Sequence, residues 1–442
     1  MSLIVNIFFV LVHFVLWQVS PAYFSYEFCA LILFLFILQN VIYFLRREFS
    51  VSVLSFEFFF GFSFLLCNFI YPVFYYETRP TIGMFQFGFN DKVITSSTAL
   101  AGLAYSCFIL GVTSYSKKSF INNFPRFRVE KIHLIILLYF SMFCFLGYIG
   151  FGGLRHLDSV YSEGGVSIAE TGVFSYFNIL FNIGSFILAI YVFCIEDKKL
   201  RLQILAFLLI TMLCFALVGS RTVVISRFLI LLFGYSLYVK RIKTKVLLLG
   251  ILFGSFLMYS IVVIRSGFSV TNSVIVSFFD IYLDLITTNR NLYVLTDFAD
   301  NNFKVYFLSA VYSVTSVVPG LSSFINNSFQ LNSELLAGGW PTYLEFGSGS
   351  TYGLGTSLVG EMYFSFGIIG VVIISLLLGT TIKYLKFNLN KRFCYILYFL
   401  FVANAVFYPR AFYLLELRNL IWSIVILFLL ERILGKKMIK LF

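Results

Sequence analysis

Residues 202–239 read LQILAFLLITMLCFALVGSRTVVISRFLILLFGYSLYV. Two apolar runs, 202–218 and 222–239, are separated only by Gly219-Ser220-Arg221. Each run is long enough to cross a hydrocarbon core of roughly 30 Å as an α-helix, with its backbone hydrogen bonds closed inside the segment. A connection this short forces the chain straight back, so the stretch predicts a transmembrane hairpin. Arg221 then lies at the turn, and Arg227 lies about a turn and a half into the next helix. A cation at that depth carries a high desolvation penalty and is by default a functional-site candidate.

The same pattern extends in both directions. Further apolar runs fall at about 3–19, 27–45, 53–72, 95–115, 133–150, 173–194, 246–264, 357–382, 393–408 and 418–434. Of the 442 residues, 60% are hydrophobic, 20% aromatic and only 12% charged, a balance that a water-soluble surface could not carry. A transmembrane β-barrel would need shorter, alternating segments, and none is present. The expected fold is therefore all-α, a polytopic transmembrane bundle of about twelve helices in one integral-membrane domain, 1–442. The N-terminus runs directly into an apolar stretch with no basic region or cleavage site, so the first run is read as a retained helix.

Charge sets the expected orientation. Alternate connections are basic: Arg46-Arg47; Lys117, Lys118, Arg126, Arg128 and Lys131; Lys198, Lys199 and Arg201; Lys240, Arg241, Lys243 and Lys245; Lys383, Lys386, Lys391 and Arg392; and Arg432, Lys436, Lys437 and Lys440. All fall on one side under the twelve-helix count, which predicts that both termini are cytoplasmic. The net charge of +12 is then a topological signal, and nucleic acid is not an expected partner. On the opposite side only residues 265–356, between helices 9 and 10, are long enough to cover a site. Within them Val274, Phe278, Ile281, Tyr282 and Leu285 recur at helical spacing, with Asp280 and Asp284 one turn apart. That pattern predicts a lid of short interfacial helices.

The chemistry available outside is restricted. All seven cysteines fall inside predicted helices, so no disulfide framework is expected. Of the three histidines only His156 lies in an outer loop, and no Asp-x-Asp pair occurs. A divalent-metal site would want clustered imidazoles or carboxylates, so neither metal nor cofactor is expected. The outer cations, by contrast, are mostly arginines: Arg79, Arg155, Arg221, Arg227, Arg265, Arg290, Arg410 and Arg418, against Lys92 and Lys304. Arginine binds phosphate oxygens with a planar fork and stays charged when partly desolvated. An anionic ligand, a phosphate or diphosphate, is the simplest common target. The alternative is that each arginine reaches the headgroups or pairs with a carboxylate.

Two further segments stand out. Tyr408-Pro409-Arg410, followed by Glu416, Arg418 and Asn419, puts two arginines, a carboxylate and an amide into one short turn, with Pro409 ending the preceding helix. Residues 353–370 read GLGTSLVGEMYFSFGIIG, with glycines suited to close helix packing and Glu361 in the first turns of the tenth helix.

These segments, together with the Gly-Ser-Arg-Thr hairpin at 219–222, resemble the O-antigen polymerase family, Wzy. The resemblance covers most of the chain as topology and these three short segments as sequence. It implies a metal-independent membrane glycosyltransferase of the C type in a bacterial inner membrane, active in lipopolysaccharide or capsule biosynthesis. Such an enzyme would move a growing glycan from undecaprenyl diphosphate onto a lipid-linked repeat unit on the extracytoplasmic side. Donor and acceptor would be undecaprenyl-diphosphate-linked oligosaccharides, with membrane lipid, a chain-length regulator and a flippase as further partners. Related O-antigen ligases use a histidine in the long outer loop; residues 265–356 contain none, which argues against a ligase and leaves the base open. A flippase should show two related halves, and another transporter should show acidic residues spread through several spans.

For a polymerase, the candidates to hold the departing diphosphate are Arg221, Arg227, Arg265, Arg290, Arg410 and Arg418. Asp297, Asp300, Glu334, Glu345 and Glu361 are the candidate catalytic carboxylates. Trp340, Tyr343 and Tyr352 are candidates to stack on sugar faces, or to anchor the loop at the interface.

Overall fold

A computed structural model describes residues 2–45, 54–114, 127–153, 173–218, 220–240, 282–302, 304–306, 308–315, 317–318, 339–347, 353–415, 417–435 and 439–441, with isolated positions between. Helices dominate: α1 (Ser2–Gln18), α2 (Tyr26–Phe44), α3 (Phe56–Asn68), α4 (Ile70–Phe74), α5 (Ile94–Ser114), α6 (Lys131–Gly150), α7 (Val173–Tyr191), α8 (Lys198–Val218) and α9 (Arg221–Tyr238). Four short helices follow: α10 (Leu283–Ile286), α11 (Asn289–Asn301), α12 (Leu308–Thr315) and α13 (Trp340–Phe346). The chain ends with α14 (Leu358–Phe387), α15 (Arg392–Asn404) and α16 (Leu417–Leu434). Among the described residues seven helices are long and apolar enough to cross a membrane. The protein is thus a polytopic helical membrane protein. Every apolar run of the sequence coincides with a described helix except 246–264, most of which lies outside the described residues.

Two features depart from the expectation of unbroken helical spans. The run 53–72 is broken at Phe69 into α3 and α4. Pro72 has no N–H to give to the Asn68 carbonyl, so a continuous helix would lose a bond there. After α5, Phe127–Val129 pairs antiparallel with Ile439–Leu441 near the C-terminus, a short strand pair where the sequence predicts only helices and connections.

The centre of the bundle is α5 against α14. α5 is built from small and apolar residues on every face, and nearly all of it is buried, as expected of a helix with no polar stripe. Gly111 and Gly379 make the contact possible: a Cβ on Gly111 would run into the Leu376 carbonyl, and one on Gly379 into the Phe108 carbonyl. Small residues that let two backbones touch are a standard source of packing where lipid offers no hydrophobic drive. Around this seam Phe36, Phe60, Phe64, Tyr105 and Phe108 form a buried aromatic cluster.

α14 is itself interrupted. Gly367 adopts φ 64° and ψ −153°, outside the helical region and open only to glycine. The carbonyls released by the break are not left bare in the apolar layer: Val305 N–H donates to Phe364 O at 3.2 Å, and Tyr306 N–H to Ser365 O at 3.1 Å. The segment 265–356 is therefore stitched into the broken helix. α11 packs along the upper half of α14, where a Cβ at Gly360 would stand 2.8 Å from Leu295 Cδ1.

Candidate functional site: two arginines on one aspartate

The hairpin between α8 and α9 is as tight as its sequence requires; Ser220 N–H closes it on Phe215 O at 2.9 Å. Arg221 is the first residue of α9, whose first turn holds no acidic side chain. The unpaired N–H groups and positive dipole end of that helix add to the guanidinium charge, so this point attracts anions. α9 runs antiparallel to α15, with Tyr238 at the far end of α9 donating to the Tyr395 hydroxyl at 3.0 Å. The near end of α9 consequently sits beside the segment that leaves α15.

That segment is the turn Tyr408–Arg410. Pro409 ends the helical path, and Tyr408 anchors the turn by packing edge-on against Phe56, with its hydroxyl donating to Tyr413 O at 2.8 Å. Arg410 lies over the Phe407 ring at 5.6 Å. The third component is α10, fixed by the buried Ile286 and by Tyr282 packed edge-on against Phe62 of α3. Between these elements stands Asp284. Its Oδ2 accepts from Arg410 Nη1 at 3.1 Å and lies 3.5 Å from Arg221 Nη1. Arg410 also reaches the Asp284 backbone carbonyl at 3.4 Å. The Asp284 side chain is 57% exposed, and those of Arg221 and Arg410 are 39% and 27% exposed. The cluster is open to solvent and carries an excess of one positive charge before the helix end is counted.

The other arginines are placed differently. Arg227 is buried and fully engaged: Nη2 donates to the Asn182 backbone O at 2.9 Å and to Asn182 Oδ1 at 2.8 Å, and Nε to Ser185 Oγ at 3.2 Å. Nη1 meets Ser226 Oγ at 3.2 Å, and the group lies over the Phe186 ring. Neutral oxygens of α7 thus compensate a cation for which the sequence suggested an anionic partner. Arg290 is fully buried, paired with Glu345 at 2.5 Å and donating to Gly88 O at 2.7 Å, which ties α11 and α13 to the loop before α5. Arg418, in the first turn of α16, is exposed. Arg265, Glu334, Tyr352 and Glu416 lie outside the described residues.

The candidate carboxylates do not converge on Asp284. Asp297 accepts from Asn90 Nδ2 at 2.6 Å and from Asn301 Nδ2 at 3.0 Å. Asp300 accepts from the Tyr363 hydroxyl at 2.6 Å, whose ring is covered by the Lys304 ammonium at 4.4 Å. Glu361 is buried within α14 and accepts from Thr356 Oγ1 at 2.6 Å. Trp340 is buried edge-on against Phe364, and Tyr343 beside it is half-buried. Among the described residues no three His, Cys, Asp or Glu side chains approach closely enough to hold a metal ion.

Asp284 is the residue that sequence reasoning passed over. It was visible only as one acidic position on an amphipathic segment, with nothing to link it to arginines 63 residues before it and 126 after. The arrangement sets two guanidiniums on one carboxylate oxygen near a helix start, with the three side chains carried by three separate elements.

The family model for O-antigen polysaccharide polymerase Wzy matches residues 2–440. No curated protein matches the chain. No solved structure matches it either. With a match over nearly its whole length, this chain belongs to the O-antigen polysaccharide polymerase Wzy family.

Proposed function

We propose that the protein is the polymerase that transfers a growing glycan from undecaprenyl diphosphate onto a lipid-linked repeat unit at the extracytoplasmic face of the bacterial inner membrane. Membership of the family supports the polymerising glycosyltransferase role and the use of lipid-linked repeat units. The observation that carries the finer reading is the convergence of Arg221 and Arg410 on one exposed acidic oxygen at the start of α9. A pair of guanidiniums open to solvent suits the diphosphate that leaves when the acceptor hydroxyl attacks the donor's anomeric carbon. Stabilising that developing charge requires no metal if two fixed cations and a helix end already face it.

Roles divide by exposure and by prior engagement. Arg221 and Arg410 hold the diphosphate, with Arg418 and Arg265 as further cations on the same side. Arg227, whose donors are committed to α7 and Ser226, and Arg290, whose Nη2 is held by Glu345 and the Gly88 carbonyl, brace the elements that carry the site. Glu345 serves Arg290, Asp297 serves the Asn90 loop, and Asp300 with Lys304 steadies Tyr363 beside the break in α14. Of the candidate aromatics, Trp340 is buried and Tyr343 is the half-buried one offered to a sugar face.

Purified protein in proteoliposomes, supplied with lipid-linked repeat units and EDTA, should build a glycan ladder. Activity that disappears on chelation and returns with magnesium or manganese rejects the metal-free site. Absence of a ladder under all ion conditions, with folded protein, rejects the polymerase reading.

A further inference from the structure

Resting on that reading, we infer that Asp284 holds the place of the donor diphosphate before the donor binds and becomes the general base once the donor displaces it. Both arginine contacts fall on the same oxygen, Oδ2. Exposed contacts to a single carboxylate oxygen are weak ties. This carboxylate is more than half exposed and sits on a four-residue helix. Exposed ion pairs are worth little, so moving the guanidiniums to a better anion is easy. A diphosphate is such an anion: it offers more charge and more acceptor oxygens, arranged for bidentate arginine contacts.

The exchange would couple donor binding to catalysis. While Asp284 neutralises Arg221 and Arg410, its Oδ2 is engaged with both guanidiniums. When the diphosphate takes over both guanidiniums, the carboxylate is released next to the scissile bond. The acceptor hydroxyl oxygen then attacks the donor's anomeric carbon, and its proton passes to an Asp284 carboxylate oxygen. The bond from the anomeric carbon to the diphosphate oxygen breaks, and its electron pair leaves on that oxygen, held by the two arginines. The proton is afterwards lost to solvent through the open side of the cluster. No oxidant or metal enters the balance. The other candidate carboxylates that are described are less suited: Glu345 is bound to a fully buried arginine, Glu361 is inside the bundle, and Asp297 and Asp300 touch neither Arg221 nor Arg410 among their described contacts.

The test separates binding from turnover. Full-length protein and the variant Asp284→Asn are titrated with farnesyl diphosphate as a short polyprenyl-diphosphate probe, and both are assayed with lipid-linked repeat units. Asp284→Asn removes the competing charge and the base together. It should bind the probe at least as tightly as wild type while turnover falls about 100- to 10,000-fold, the usual contribution of a positioned base. Arg221→Ala should lose binding and turnover together. Wild-type turnover in Asp284→Asn overturns the inference and leaves the polymerase reading intact. Loss of probe binding or of membrane abundance in Asp284→Asn also overturns it, because the residue is then a structural latch. If wild type binds the probe but builds no ladder, the polymerase reading falls and the inference with it.

Discussion

Replacing Arg221 by lysine keeps the charge at the start of α9 and removes the planar fork. In the resting structure the side chain is 39% exposed, and its nearest anionic contact is Asp284 Oδ2 at 3.5 Å. An exposed pair of this kind contributes at most about 1 kcal/mol, so folding and membrane abundance should be nearly unchanged. The effect should appear during reaction. A charge-assisted contact to the departing diphosphate in a partly dry site is worth about 2–4 kcal/mol, which is roughly 30- to 1,000-fold in rate. A lysine ammonium can supply one point contact but not two parallel ones. The assay is the initial rate of ladder formation in proteoliposomes, normalised to folded protein, with Arg221→Lys beside Arg410→Lys. Because both guanidiniums serve one anion, the double variant should fall by less than the product of the two single losses. Wild-type ladders from Arg221→Lys, or an Arg221→Ala defect that disappears when corrected for abundance, would refute the diphosphate role and leave Arg221 as a headgroup-facing cation.

Other expectations follow from the braces and from the topology. Arg227→Met leaves the Asn182 and Ser185 acceptors without their donor, so thermal stability should drop by the equivalent of about 1–3 kcal/mol while farnesyl diphosphate affinity in the surviving protein is kept. A loss of affinity without a loss of stability would move Arg227 into the binding site. Gly379→Leu should prevent α5 and α14 from meeting and abolish folded protein in a detergent size-exclusion profile, since the clash is with the Phe108 backbone rather than with a yielding side chain. Cysteine introduced at Ser333 should react with an impermeant thiol reagent applied from outside and one at Ser119 should not; the reverse pattern would invert the proposed orientation. The seven native cysteines are free but buried or half-buried, which keeps the background low.

The sequence by itself determined which segments form long apolar helices, because a membrane imposes a rule that acts on contiguous residues. Any span must be apolar over its whole length and close its own hydrogen bonds, so 202–218 and 222–239 were legible as α8 and α9, and Gly219-Ser220-Arg221 as their turn. The break at Phe69, one turn before Pro72, was not read from the sequence, where 53–72 stood as one apolar run. The exposed position of Arg221 followed from the same local logic. Burial and partnership did not. Arg227 and Arg221 share a helix and a charge, yet one is consumed by Asn182 and Ser185 of α7 and the other is left open, because only the packing of α9 against α7 decides which face of that helix meets neutral oxygens. Gly367 was visible as a glycine, but its positive φ became necessary only when Val305 and Tyr306 arrived to take the carbonyls of Phe364 and Ser365. Asp284 shows the limit most directly. Its meaning rests on two arginines distant in the chain, and electrostatic contacts between such residues are set by how antiparallel helices and their connecting turns close in space, which no local pattern of residues encodes.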